Sequence, residues 1–184
     1  MRKIIFILFF FTTVNSTSQT QNRSSEVLED IIDRLSNTKG EIKIYSRIDS
    51  IQVEAHLKAF IENEQKIYFL KTKYSKDSII LTTNEKRYLL EEIRKQYRRE
   101  WQQKDFTNNT IISGKSGKAF TNESRRNAIV SISNPIFIRN DEIAFLYYSY
   151  SCCGNSGYGH NKLSFYRKSE NAWKEWIWIS AFYY

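Results

Sequence analysis

Residues 143–151 have the sequence IAFLYYSYS, an apolar and aromatic run of the kind that favours a β-strand. A polar turn, RNDE at residues 139–142, precedes this run, and the glycine-rich segment CCGNSGYGH of residues 152–160 follows it. Two more strand-like segments come next, at residues 161–167 and 173–179, with polar turn residues between them. Successive strands with short connections predict an antiparallel β meander in the last third of the chain.

The sequence before this meander contains further strand-like segments. The predicted strands are residues 41–48, 67–73, 78–81, 110–113, 128–133 and 135–138. The segments 67–73 and 78–81 have turn residues between them and are predicted to form a hairpin. Residues 51–60 are ambiguous, because their strict apolar–polar alternation coexists with the helical spacing of Val53, Leu57 and Phe60. We favour a strand for this segment.

Two segments have the pattern of an amphipathic helix. Residues 26–35 follow a serine pair that can cap a helix, and their apolar residues fall on one side. A longer helix is predicted over residues 83–104, because Thr82 and Glu85 form a capping-box pattern at its start. Its apolar stripe consists of Leu89, Ile93, Tyr97 and Trp101. The predicted fold class is α+β, with an N-terminal helix, mixed strands and a long amphipathic helix packed on a curved antiparallel β meander.

The first residues have the composition of a secretory signal. Two cations, Arg2 and Lys3, precede an apolar run that is too short to cross a bilayer, which takes roughly 20 residues. We predict cleavage after Ser18, so that residues 1–18 are a signal peptide, 19–24 a loose leader and 25–184 a single α+β domain. The mature protein is then exported, periplasmic or secreted, and retains no transmembrane span.

The composition is that of a folded, basic protein. The chain has a formal net charge of +8 and 15% aromatic residues, but only one proline and six glycines, so it can bury a substantial core. A positive charge outside the cytoplasm favours acidic lipids, lipopolysaccharide or an acidic glycan over nucleic acid as partner. The alternative, which we favour, is a solvated excess of charge that keeps the protein soluble. A protein is the other candidate partner. The cationic segment 94–99 is interpreted as the solvated face of the second helix.

Residues 105–123 form the longest predicted loop, and they include the sequence GKSGK at residues 114–118. This segment is not a phosphate-binding loop, because its glycines are too close together and Ala119 stands where serine or threonine would hold magnesium. Its lysines, Lys115 and Lys118, are candidate binding residues. No cofactor is predicted.

The glycine-rich segment 152–160 contributes the other candidate binding residues, Tyr158 and His160. Cys152 and Cys153 are the chain's cysteines. A vicinal disulfide, an intermolecular bridge and two buried thiols are all open states for this pair, and buried thiols are the interpretation we favour. The two cysteines and His160 do not have the spacing of a metal site, so no metal ligand is predicted. No catalytic residue is predicted either.

Aromatic residues of the last third could form a stacking platform for sugar rings, or they could fill a thick core, which we favour. They are Tyr147, Tyr148, Tyr150, Tyr158, Trp173, Trp176, Trp178 and Tyr183. Strand alternation predicts that Trp176 and Trp178 share one face of their strand and that Ile177 and Ile179 share the other.

Residues 131–177 resemble small exported bacterial proteins of no known function. The resemblance rests on SNPIF at residues 133–137, the tyrosine-rich strand 144–150, Cys153-Gly154 with Gly157 and Gly159, and Trp173-Lys174. Such proteins often carry a second cysteine shortly after the Cys-Gly pair, whereas here Cys152 precedes it. The resemblance implies an exported protein with a β meander and implies no activity.

Three functions are compatible with these features. The first is a non-catalytic exported binding module that uses the loops 107–123 and 152–160. The second is a small hydrolase with its site in the segment 152–160 and with His160 as base. The third is an inhibitor or immunity-type protein.

Overall fold

The computed structural model describes residues 23–35, 42–62, 66–68, 77–106, 108–115, 128–152, 158–170 and 172–183. These residues form three α-helices, α1 (23–35), α2 (Ser50–Glu62) and α3 (Thr83–Lys95), and two short 3-10 helices, Gln96–Arg98 and Gln103–Asp105. The strands are β1 (Ile42–Arg47), β2 (Lys66–Tyr68), β3 (Ser78–Ile80), β4 (Thr110–Lys115), β5 (Ala128–Ile132), β6 (Ile136–Ile138), β7 (Ile143–Cys152), β8 (Tyr158–Ser169) and β9 (Ala172–Tyr183).

Seven strands form the main sheet, in the order β4-β1-β5-β7-β8-β9, with β6 also paired to β7. The strands β5, β7, β8 and β9 pair antiparallel, so the predicted meander is confirmed. The sheet is nevertheless mixed, because β1 runs parallel to both β4 and β5. The hairpin strands β2 and β3 pair antiparallel beside it, as predicted. The fold class is α+β.

Both faces of the sheet are covered by helices. On one face, α1 buries Val27 and Ile31 against Tyr166 and Trp173. On the other face, α2 and α3 pack on a cluster that includes Tyr147, Phe145 and Phe165. Because neighbouring residues of a strand point to opposite faces, the apolar run of β7 supplies both cores at once. This is why the run has no polar face.

Residues 51–60 are helical, and the predicted strand is therefore wrong. Val53, Leu57 and Phe60 are completely buried, and their spacing places them on one side of α2. By contrast, the alternating pattern would have buried Ile51, which is 74% exposed. The helical spacing therefore agrees with the residues that are buried, and the alternating pattern does not.

The predicted long helix over residues 83–104 is also wrong in its length. Its capping box is present, and Leu89 and Ile93 are buried as predicted, but α3 ends at Lys95. The Gln96 side chain then bonds the backbone of Asn134 with both its oxygen (2.6 Å) and its nitrogen (3.0 Å). Trp101, outside the helix, is buried beside the sheet and donates its indole hydrogen to the Ile132 carbonyl at 2.7 Å. Contacts to the sheet thus replace the last helical turns.

Several predicted boundaries differ from the observed ones or lie outside the described residues. Helix α1 begins at residue 23, so it includes the last two residues of the predicted leader, and Ser24 is buried. The predicted signal peptide, residues 1–18, lies outside the described part, and so do residues 107 and 116–123 of the predicted loop. None of the described helices is long and apolar enough to cross a membrane.

Strand β9 contains a bulge that changes the predicted orientation of one tryptophan. The register passes from Ile177 to Glu175 and leaves Trp176 without a partner position on β8. As a result, Trp176 packs against the core under α2 and α3, whereas Trp178 lies beside Lys162 on the opposite face. The prediction that these two tryptophans share a face is therefore wrong. Ile177 and Ile179 do share one, and both are buried.

Candidate binding surface

The structure separates the predicted binding residues into two places. Tyr158 and His160 lie in strand β8, not in a glycine-rich loop as predicted, because β8 begins at Tyr158. Lys115 is the last residue of β4, and the strands β1, β5 and β7 lie between β4 and β8. Lys118 lies outside the described residues. Lys115 and the predicted aromatic residues therefore do not form one site in the described structure.

His160 is surrounded by the rings of four tyrosines. The centroid distances to its imidazole are 5.4 Å for Tyr148, 5.5 Å for Tyr150 and 5.9 Å for both Tyr158 and Tyr183. The strand register explains this arrangement, because His160 lies opposite Tyr150 on β7 and opposite Tyr183 on β9. Directly opposed residues of a sheet share a face.

This group of aromatic residues is partly open to solvent. Tyr158 is 49% exposed and Tyr183 is 56% exposed, whereas Tyr148 and Tyr150 are buried. We call Tyr158, His160 and Tyr183 the aromatic patch. The predicted aromatic core is thus confirmed for the tyrosines of β7, while the platform hypothesis remains open for the two exposed rings.

Hydrogen bonding leaves two polar atoms beneath the patch without a partner. The His160 Nε2 atom lies 3.0 Å from the Tyr148 hydroxyl. By contrast, the His160 Nδ1 atom and the Tyr150 hydroxyl are buried and have no hydrogen-bond partner among the described residues. A buried polar atom of this kind normally meets a water molecule or a ligand.

The imidazole of His160 is neutral at physiological pH. Burial, together with the positive charge of Lys162, lowers the pKa of His160 to about 4. Burial also raises the pKa of Tyr148, so its hydroxyl keeps its proton. The patch therefore offers neutral hydrogen-bonding groups.

A buried ion pair lies next to the tyrosines on the same face. The Lys162 ammonium is 3.5 Å from the Glu175 carboxylate, and both side chains are nearly inaccessible. The ammonium also lies 4.2 Å from the centroid of the Trp178 ring, a favourable cation–π distance. Ser164 donates its hydroxyl hydrogen to the same carboxylate at 3.0 Å. The two charges balance each other.

The opposite face of β8 and β9 carries a second hydrogen-bond network, centred on His56 of α2. The Asn161 side-chain oxygen lies 2.9 Å from His56 Nε2, and the Ser180 hydroxyl contacts Nδ1. An amide oxygen can only accept, so Nε2 carries the hydrogen and Nδ1 accepts from Ser180. The Gln52 side-chain oxygen then accepts from Tyr147 at 2.8 Å and from the Asn161 amide at 3.3 Å.

This His56 network has the order serine–histidine–asparagine that activates nucleophiles in acyl-transfer enzymes. Its location does not suit catalysis, however. His56 has no exposed surface, and its ring packs against Tyr147 at 5.5 Å and Phe182 at 4.7 Å. We interpret the network as a clamp that holds α2 onto β8 and β9.

Cys152 ends strand β7, lies opposite Tyr158, and is disulfide-bonded. The other cysteine of the chain, Cys153, lies outside the described residues. The buried-thiol interpretation is therefore wrong for Cys152. Within the described part of the chain, no three histidine, cysteine or acidic side chains are grouped so that they could hold a metal ion.

Two of the four cations in the segment 94–99, Arg94 and Lys95, are paired with acidic side chains. Arg94 bonds the Glu54 carboxylate at 2.8 Å, and Lys95 is paired with Glu92. Arg99 lies over the Trp101 ring, 4.6 Å from its centroid. These contacts are those of a solvated helix face.

Sequence reasoning missed Lys162, Glu175, His56 and Asn161. Strand alternation could have placed Lys162 on the face of His160, and a lysine on a buried face normally has a charged partner. The role of His56 depended on recognising α2 as a helix.

The two arrangements on β8 and β9 differ in access. The aromatic patch reaches solvent through Tyr158 and Tyr183, while His56 is enclosed. The patch is therefore the better candidate for a functional surface. No family model matches the chain, and comparisons with curated proteins and with solved structures likewise give no match.

Proposed function

We propose that this chain is an exported, non-catalytic binding module that recognises its partner through the aromatic patch. The observation that carries the proposal is the pair of exposed tyrosines beside His160, Tyr158 on the same strand and Tyr183 on the neighbouring strand β9. The Nδ1 atom of this histidine has no hydrogen-bond partner among the described residues. Exposed aromatic rings above a few fixed polar groups are typical of ligand-binding surfaces.

The arrangement argues against the hydrolase hypothesis. A general base with a pKa of about 4 accepts protons poorly at neutral pH, and His160 Nε2 is bonded to a tyrosine hydroxyl rather than to a nucleophile. An inhibitor or immunity-type protein would use the same patch, and its partner would then be a protein.

The proposal is tested by immobilising the full mature chain and exposing it to envelope extract from the producing cells. We expect specific protein or carbohydrate to be retained by the wild type and lost from the variant Y158A/Y183A. The loss is expected because ring stacking and burial of tyrosine supply most of the energy at such surfaces.

The matched control is Tyr88→Ala, since Tyr88 is 44% exposed but lies on α3. It should retain the same material as the wild type. Equal retention by all three proteins would contradict the proposal. Circular dichroism of each variant shows whether the fold is intact.

Export and the cysteine state are tested together by intact mass. We expect the protein recovered from outside the cytoplasm to begin at Gln19, because we propose cleavage after Ser18. Thiol alkylation under denaturing conditions without reductant should add no mass, since Cys152 is disulfide-bonded. Two alkyl groups should be added after reduction. A chain that starts at Met1, or one that is alkylated before reduction, would contradict these expectations.

A further inference from the structure

The charge around the aromatic patch limits the ligands that it can bind. His160 is neutral, and the nearby Lys162 and Glu175 are paired with each other. The positive charge of Arg34 acts on Tyr148 and Tyr166, whereas Tyr183 is influenced by Tyr158 and Glu175. A carboxylate or sulfate ligand would therefore meet no unpaired cation among the described residues of the patch. This local neutrality contrasts with the net charge of +8 of the whole chain.

The unpartnered atoms indicate what the ligand must supply. The Tyr150 hydroxyl both donates and accepts hydrogen bonds, and the neutral His160 Nδ1 does one or the other, depending on its tautomer. A ligand hydroxyl satisfies either case, because it too can donate and accept. Both residues are more than nine-tenths buried. Access to His160 requires the exposed rings next to it, Tyr158 and Tyr183, to change rotamer, which side chains at the surface do on a fast timescale.

We infer that the aromatic patch binds an uncharged saccharide, with Tyr158 and Tyr183 stacked on sugar rings and with Tyr150 and His160 bonded to sugar hydroxyls. The inference rests on the proposed binding function and names the ligand class of that same site. A sugar ring has an apolar face that stacks on an aromatic ring and hydroxyls at its edge, which matches a tyrosine surface above neutral hydrogen-bonding groups.

The test uses cellohexaose, chitohexaose and maltohexaose as uncharged probes and an oligogalacturonate of the same length as the acidic probe. Binding to the full mature chain is measured by titration calorimetry at low and high salt. We expect at least one uncharged probe to bind with a Kd that does not change with salt. Tyr158→Ala and Tyr183→Ala should each raise that Kd about tenfold, because each removes a ring on which a sugar stacks.

Tyr150→Phe removes the hydroxyl and keeps the buried ring, so it separates hydrogen bonding from packing. It should raise the Kd about fivefold, the effect of losing one hydrogen bond of about 1 kcal/mol. The control Tyr88→Ala should bind like the wild type.

The outcomes separate this inference from the proposed function. Tighter, salt-dependent binding of the oligogalacturonate, lost in Y158A/Y183A, would overturn the uncharged ligand and keep the patch. If the patch retained a protein and no uncharged probe bound, the saccharide inference would be overturned, but the patch would remain the binding surface. Saccharide binding that is unchanged in Y158A/Y183A would overturn both.

Discussion

The free energy of unfolding is expected to fall by about 2 kcal/mol for each histidine when the pH is lowered from 7 to 5. Burial lowers the pKa of both His56 and His160 to about 4, against an ordinary value of 6.5. In this pH range the unfolded chain binds protons at both imidazoles and the folded chain does not. A depressed histidine pKa therefore gives stability that is complete above the unfolded value and is lost as the pH falls towards the folded one.

Urea unfolding at half-unit pH steps measures this slope. The chain contains two histidines, so His56→Gln and His160→Gln should each remove about half of the slope between pH 7 and 5. His56→Gln should also lower the stability at pH 7 by about 2 kcal/mol, because it disturbs the hydrogen bond that the imidazole donates to Asn161 and the one that it accepts from Ser180. His160→Gln is the milder variant and keeps the test available if His56→Gln fails to fold.

Carboxylates set the lower end of this window. The Arg139 guanidinium lowers the pKa of Glu85 to about 2, and Arg94 lowers that of Glu54. The stability that these carboxylates contribute is lost at lower pH, as the pH falls through their pKa values in the unfolded chain and then in the folded chain. The free energy of unfolding of the double variant H56Q/H160Q should therefore be nearly independent of pH between 7 and 5. A slope that persists in the double variant would contradict the assignment of the acid sensitivity to the imidazoles.

The meander was predictable because its signals are local. The run IAFLYYSYS, the turn before it and the next two strands each carry their own pattern, and sequential antiparallel pairing follows from short connections. The capping box of α3 is local in the same sense. The parallel pairing of β1 with β5 was not predictable, because it joins segments more than 80 residues apart.

The secondary-structure predictions were wrong where the local sequence was compatible with more than one structure and tertiary contacts determined which one forms. Residues 51–60 satisfy both periods, and the buried faces of the sheet selected the helical one. The end of α3 depends on Asn134, which lies 38 residues from Gln96. The candidate site was predicted only in part. Tyr158 and His160 were named from the glycine-rich segment, and Tyr158 and Tyr183 were named among the aromatic residues of a possible platform. That Tyr183 lies beside His160 follows only from the register of β9 with β8.

The buried pair Lys162–Glu175 is expected to give the largest effect of a single substitution. Glu175→Ala should destabilise the fold by about 3–4 kcal/mol at pH 7.5, because it leaves a buried ammonium without its carboxylate. The loss of stability has an upper limit, because the buried lysine can release its proton instead of staying charged. At pH 7.5 this release costs about 4 kcal/mol, given the ordinary lysine pKa near 10.4. The penalty should therefore shrink as the pH is raised.

The exposed pair Lys168–Glu26 is the matched control. Its side chains are 46% and 42% exposed at a separation of 2.9 Å, so Glu26→Ala should cost at most about 1 kcal/mol. The double variant K162M/E175L should recover most of the stability lost in Glu175→Ala, because it buries apolar groups in place of both charges. Urea unfolding of all four proteins gives these differences. If Glu175→Ala cost no more than Glu26→Ala, the ammonium would be reaching water, and Lys162 could then attract an acidic ligand at the edge of the patch.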